Sequence, residues 1–324
     1  MKSLRLFLFL IVLTISSCQK ETKNWNIEIS QPLPKVKITD ISAAFYNPEV
    51  SLAEFQKAYP WFQGSVSDED YLKRRSDSTE INIYKKAKTL INQPQLKKDL
   101  AQLFAHIQHY FPKFSAPQVF LYSSALQGID MPIFYREKEN WLFIDIAAFM
   151  GEGNPYYQGI DTYLQHSMNP QNLVPKVSKT LAEQIVPWDR NHRKFIDMMA
   201  YEGKLMILQD AFLPQTSDAL KIGYTPEQEA WAKENEAEIW NYFVENDLIF
   251  SDDARLVDRF LSPAPFSKFY TEIDNQSAPQ IGIFSGWQMC RAYFKEKPET
   301  LLSDFIFKTD GATILKESHY KGEK

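Results

Sequence analysis

"FIDMMAYEGKLMILQDAFL", residues 195–213, is the stretch on which the fold turns. Wound as an α-helix, it places Phe195, Met198, Met199, Leu205, Met206 and Leu213 on one broad apolar arc. Glu202 falls in the middle of that arc, while Asp197 and Lys204 project from the opposite side. A carboxylate on a core-facing surface loses hydration at a cost on the order of several kcal/mol. Glu202 therefore calls for a metal, a catalytic role or a buried ion pair.

Working outward, "LVPKVSKTLAEQIVP" (173–187) reads as the preceding helix, with Val174, Val177, Leu181 and Ile185 as its apolar stripe. Lys179 and Glu183 lie one turn apart, away from that stripe. Taken alone they make a surface ion pair worth roughly a few tenths of a kcal/mol. Further helices are expected near 67–92, 95–111, 190–213, 226–246 and 282–296. The start at Thr225-Pro226 is the clearest, because Gln228 completes a capping box. Between the two groups of helices, "QVFLYSS" (118–124), "PIFYRE" (132–137) and "WLFIDIAAF" (141–149) read as strands, with "EKEN" closing a hairpin. "GEGNPYYQG" (151–159) is a loop, and "SPAPF" (262–266) a break. The fold class is α+β, predominantly α-helical with a small β-sheet.

The N-terminus reads as a processing signal. Lys2 and Arg5 precede the apolar run "LFLFLIVLTI", which is too short to span a bilayer but suits a secretory signal. "ISSC" looks like a lipobox, making residues 1–17 a signal peptide and Cys18 the acylated first residue. Residues 18–36 are polar and proline-punctuated and read as a tether. One globular domain is expected over 37–324. Loss of Lys2 and Arg5 moves the formal charge from −5 to −7, and no basic stripe survives to attract nucleic acid. With Cys18 blocked, Cys290 has no intramolecular partner; among aromatics in "GWQMCRAYF" it reads as a small buried hydrophobe.

Few other side chains make a chemical site. His106 and His109 have metal-binding spacing, but the helical wheel puts His109 opposite the apolar face and His106 on its flank, so both read as surface residues. His166, His192 and His319 are isolated. HExxH, CxxC and GxSxG are absent, as is a glycine-rich phosphate loop. "SDDARLVDRF" (251–260) lacks the alternating ligands of a calcium loop.

A hairpin running into Phe149-Met150-Gly151, a helix ending "IVP" and a second helix carrying "EGK" resemble the GldB-type gliding-motility lipoproteins. The likeness is densest in "YEGKLMILQDAFLP", "IGYTPEQEAW", "PAPFSKFY" and "IGIFSGWQMCRAYF". It implies a component of the envelope machinery for gliding and type IX secretion. That family is distantly similar to zinc proteases with HExxH on one helix and a glutamate ligand on the next, which implies a zincin-like scaffold. Carried over by position, Lys179 stands for the first histidine, Thr180 for the catalytic glutamate, Glu183 for the second histidine and Glu202 for the third ligand. This is a degenerate metal site. A lysine ammonium is no zinc ligand, and without a glutamate at 180 no general base faces a bound water.

The resulting expectation is a non-catalytic envelope lipoprotein with no cofactor. It is held to the membrane through acylated Cys18 and partnered by other gliding or secretion proteins. Gln19 in place of aspartate favours the outer membrane, and a tether without a clear acidic run favours a position facing the periplasm. Two alternatives stay open: a residual metal-dependent peptidase using Glu183, Glu202 and a distant histidine, and a glycan or small-molecule binder with Trp188, Tyr201 and Trp287 lining the cleft. A Lys179–Glu202 ion pair would account for the carboxylate in the apolar arc, provided the two side chains approach within about 6 Å.

Overall fold

A computed structural model describes residues 25, 27–29, 32–191, 193–272 and 274–322. The signal segment and Cys18 lie outside the described residues. The chain begins with β1 (Ile38–Asp40) and α1 (Ile41–Phe45), where the Asp40 carboxylate accepts from the Ala43 amide and so starts the helix. α2 (Leu52–Ala58), α3 (Asp68–Ser76), α4 (Ser78–Leu90) and α5 (Gln93–Tyr110) follow. The continuous pattern near 67–92 is two helices. Asp77 leaves helical geometry at ψ 118° and turns its carboxylate to the amides of Thr79 and Glu80, capping α4.

Next come β2 (Gln118–Tyr122), β3 (Ile133–Arg136) and β4 (Trp141–Asp145), the last two joined as the expected hairpin. The sheet order is β1-β2-β4-β3, with β1, β2 and β4 parallel and β3 an antiparallel edge. Alternation along the strands separates two cores. Val119, Leu121, Ile133, Leu142 and Ile144 face the main helical core. Phe120 and Phe143 face a second cluster, with Phe45, Phe55 and Tyr71 from α1 to α3. Phe143 stacks between Phe120 (5.1 Å between centroids) and Phe134 (4.6 Å). Small helices on one face and long helices on the other thus cover a mixed sheet. The sequence reading of an α+β, predominantly helical chain holds.

The rest is helical: α6 (Thr162–Gln165), α7 (Leu173–Ile185), α8 (Phe195–Phe212), α9 (Asp218–Ile222), α10 (Pro226–Glu234), α11 (Glu236–Glu245), α12 (Arg255–Phe260), α13 (Ile281–Glu296), α14 (Leu302–Lys308) and α15 (Gly311–Ser318). The single helix expected over 226–246 breaks at Asn235, whose side-chain amide donates to the Trp231 carbonyl and closes α10. Thr225 and Gln228 form the anticipated capping box.

α8 and α13 are the centre of the molecule, and two glycines let them touch. A Cβ on Gly286 would lie 2.0 Å from the Met199 carbonyl oxygen, and one on Gly203 2.3 Å from that of Gly286. Buried on nearly every side, α8 corrects one expectation about its polar face. Lys204 is only 8% exposed and donates to the carbonyls of Ile306 (2.9 Å) and Thr309 (2.6 Å) at the end of α14. Its long stem lets a cation cross the core surface to unsatisfied helix-end carbonyls. Inside the segment read as a tether, Trp25 packs edge-on against Tyr110 and Phe294, and Val36 is buried. No helix among the described residues is long and apolar enough to cross a membrane.

Candidate functional site

The site grows from the packing of α7 on α8. Val177, Ser178, Leu181 and Ala182 bury one face of α7, which leaves Lys176, Lys179, Thr180 and Glu183 along its rim. On α8, Phe195 and Ile196 seat their amides on the carbonyls of Ser251 (2.8 Å) and Ile249 (2.9 Å), fixing the start and hence the rotation of the helix. That rotation brings Glu202 to the α7 side. Lys179 Nζ donates to Glu202 Oε2 at 3.2 Å, with the two side chains 33% and 21% exposed. The carboxylate on the apolar arc thus meets an ammonium at the boundary of the core.

Charge around this pair is uneven. Burial alone would lower the Lys179 ammonium, but Glu202 and then Glu183 outweigh it and hold the group above its ordinary range. The Glu183 carboxyl is raised, first by burial and then by Glu202, against the opposing pull of Lys179. Lys176, one turn before Lys179, is pushed down to about 8 by burial and by its cationic neighbour. It sits 5.8 Å from the centre of the Phe149 ring. Among the described residues no carboxylate pairs with it.

Lys176, Lys179, Thr180 and Glu183 form one wall of a cleft of about 650 Å³. The opposite walls come from residues 129–133 leading into β3, from 220–223 and from Pro279-Gln280. The first of these walls is held by a buried carboxylate that sequence reading passes over. Asp145, at the end of β4, is fully buried and accepts from the amides of Ser124 (3.2 Å) and Ala147 (3.0 Å) and from the Ser124 hydroxyl. Ser124 Oγ in turn accepts from the Gly128 amide. Burial raises the Asp145 carboxyl despite these bonds. Ala125 (φ 53°) and Leu126 (φ 74°) sit in the left-handed region between these anchors, so the turn is strained and held by the carboxylate.

A second missed group lies behind the cleft. Asp210 of α8 takes Lys221 Nζ (2.8 Å), Trp287 Nε1 (2.9 Å) and two nitrogens of Arg291 (2.9 Å each). Arg291 also grips Asp218 with two bonds (2.7 and 2.9 Å) and lies 3.9 Å from the Trp287 ring centre. Burial would lower the guanidinium, yet its bonds to Asp218 and its attraction to Asp210 raise it well beyond its usual range. Opposite charges satisfy every partner here. The network fastens α9 and α13 to α8, and Trp287, 1% exposed, belongs to it and not to a ligand cleft.

The remaining residues named from the sequence fall elsewhere. Trp188 is 50% exposed and meets Tyr201 edge-on at 4.8 Å in a separate hollow of about 390 Å³. Cys290 is buried against the α8 crossing, and burial pushes its thiol up to about 12, which suits packing and not nucleophilic work. His109 is exposed, but His106 is half-buried beside Ala211, its pKa lowered by burial, so only one of the pair is a surface residue. Among the described residues, no three His, Cys, Asp or Glu side chains converge at metal-binding spacing.

The model of the family described as gliding motility protein GldB matches residues 22–322, and the chain belongs to that family. Comparison with curated proteins and with solved structures gives no match.

Proposed function

We propose that this member of the gliding-motility family is an acylated envelope protein, anchored through Cys18, that works by binding a partner and not by catalysis. The observation that carries the reading is the ammonium of Lys179 on Glu202, 3.2 Å apart. A cation already occupies the position facing the carboxylates, and zinc requires neutral or anionic donors there. Thr180 supplies no base. In the zincin-like reading, Lys179, Thr180, Glu183 and Glu202 are the remnant of a metal site whose positive charge is now a side chain.

The partner is another protein of the gliding or type IX secretion machinery, met at the outer membrane on its periplasmic side. It enters the cleft between α7 and residues 129–133, where Lys176 offers an ammonium without a carboxylate of its own. An acidic side chain or chain terminus in that cleft gains a charge-assisted bond in a partly desolvated place. Complementation of a deletion strain tests this. The Lys176→Glu chain is expected to accumulate and melt as the parent does while the cells stop spreading. Normal spreading would remove the cleft from the mechanism. A glycan-binding reading rests on the exposed Trp188, braced edge-on by Tyr201, as an apolar face for a sugar ring. Loss of spreading in Trp188→Ala but not in Lys176→Glu would favour it.

A further inference from the structure

Six residues separate Cys18 from Trp25. Seven Cα steps at full extension reach at most about 25 Å. Trp25, the first of the described residues, packs edge-on to Tyr110 at the end of α5 (6.0 Å) and to Phe294 near the end of α13 (5.2 Å). The anchor is therefore tied to one particular face, and a leash this short keeps the opposite face of a domain this size away from the lipid. From this geometry, and resting on the lipoprotein reading above, we infer that the face carrying Trp25, the end of α5 and α14 lies on the lipid surface that holds the acyl chains.

The surface beside Trp25 has the chemistry for it. Phe111, next to Tyr110, meets Phe307 edge-on at 6.5 Å, and Phe307 is 55% exposed. One exposed phenylalanine is ordinary on any protein. This one stands within a ring contact of the element that receives the leash. Lys113 is exposed just beyond Phe111, and Lys308, 70% exposed, follows Phe307 and pairs with Asp304 at 2.8 Å. An aromatic ring at the headgroup level beside an exposed lysine such as Lys113 is a recurrent interfacial arrangement.

The same geometry orients the cleft. Gln280, at the start of α13, lines it, while Phe294 near the other end meets Trp25. Fourteen helical steps lie between them, a rise of about 21 Å. The cleft accordingly opens away from the lipid, toward a partner in the aqueous compartment.

The test uses the full acylated chain in vesicles of phosphatidylethanolamine and phosphatidylglycerol with brominated acyl chains. A polarity-sensitive fluorophore is attached at Lys113→Cys, at Phe307→Cys and, as the distal probe, at Met131→Cys on the cleft wall. Cys290 is buried and stays unlabelled in the folded protein. Bromine is expected to quench emission from positions 113 and 307 and to leave 131 unchanged. The lysine variant keeps Phe307, so the result does not depend on removing the contact itself. Equal quenching at all three, or quenching at 131 alone, overturns the orientation. Flotation of the chain with the vesicles reports the anchor separately: a chain that fails to float, as Cys18→Ala is expected to do, refutes the lipid attachment from which the orientation follows.

Discussion

Lys179 and Glu202 resolve the contradiction of a carboxylate on an apolar helix face, and magnitudes decide how much they matter. Both side chains keep some contact with water (33% and 21% exposed), so the pair belongs with partly solvated bridges. A double-mutant cycle of Lys179→Met and Glu202→Gln, read from urea midpoints, is expected to give a coupling of about 0.5–1 kcal/mol. Lys176 behaves differently. Its folded pKa of about 8 lies below its ordinary 10.5, so between those values the unfolded chain binds more protons and stability rises with pH. Lys176→Met should therefore melt higher than the parent at pH 7, with the advantage shrinking as pH passes through 8 toward 10.5. An unchanged difference across that window would mean that Lys176 is solvated. The anomaly at Glu202 was legible in the sequence because a helical wheel is local. Asp145 was not, since Ser124 reaches it from the turn after β2, 21 residues away, and nothing in "WLFIDIAAF" tells a buried aspartate from a turn residue.

At the scale of elements, the close crossing of α8 and α13 explains why glycine stands in "YEGK" and "FSGW". Gly286→Ala places a methyl 2.0 Å from a backbone oxygen that cannot swing aside. It is expected to cost about 3 kcal/mol or more by chemical denaturation. Gly153→Ala, in open space at φ +71°, should cost about 1 kcal/mol. Equal losses would mean that the helices do not meet backbone to backbone. Periodicity and capping located α5, α7, α8, α10 and α13 and the hairpin. They failed where a polar side chain turned back on its own backbone, as at Asp77 and Asn235, because apolar spacing continues straight through such breaks. Short helices such as α2, α9 and α15 carry too few turns for a period to be read.

Considered whole, the described residues join a core of two crossed helices to a cleft at one end of α13. The network of Asp210, Lys221, Asp218 and Arg291 holds that arrangement, spanning 81 residues of sequence between Asp210 and Arg291. Arg291→Met leaves Asp210 short of its strongest partner in a place only 4% exposed. A loss of about 3–5 kcal/mol is expected in chemical denaturation, against a far smaller one for the exposed Arg255→Met. No sequence pattern pairs residues so far apart, although a charge inside "GWQMCRAYF" hints that something must. The GldB resemblance, by contrast, was legible from several short stretches together, and the family match extends over residues 22–322. In the proposed reading Lys179 stands where a metal would, and zinc content tests that most directly. The acylated full-length chain, purified without chelators or a histidine tag, is predicted to carry far less than one zinc by mass spectrometry. About one zinc per chain, lost in Glu202→Ala, would contradict the account and restore a metal site to this cleft.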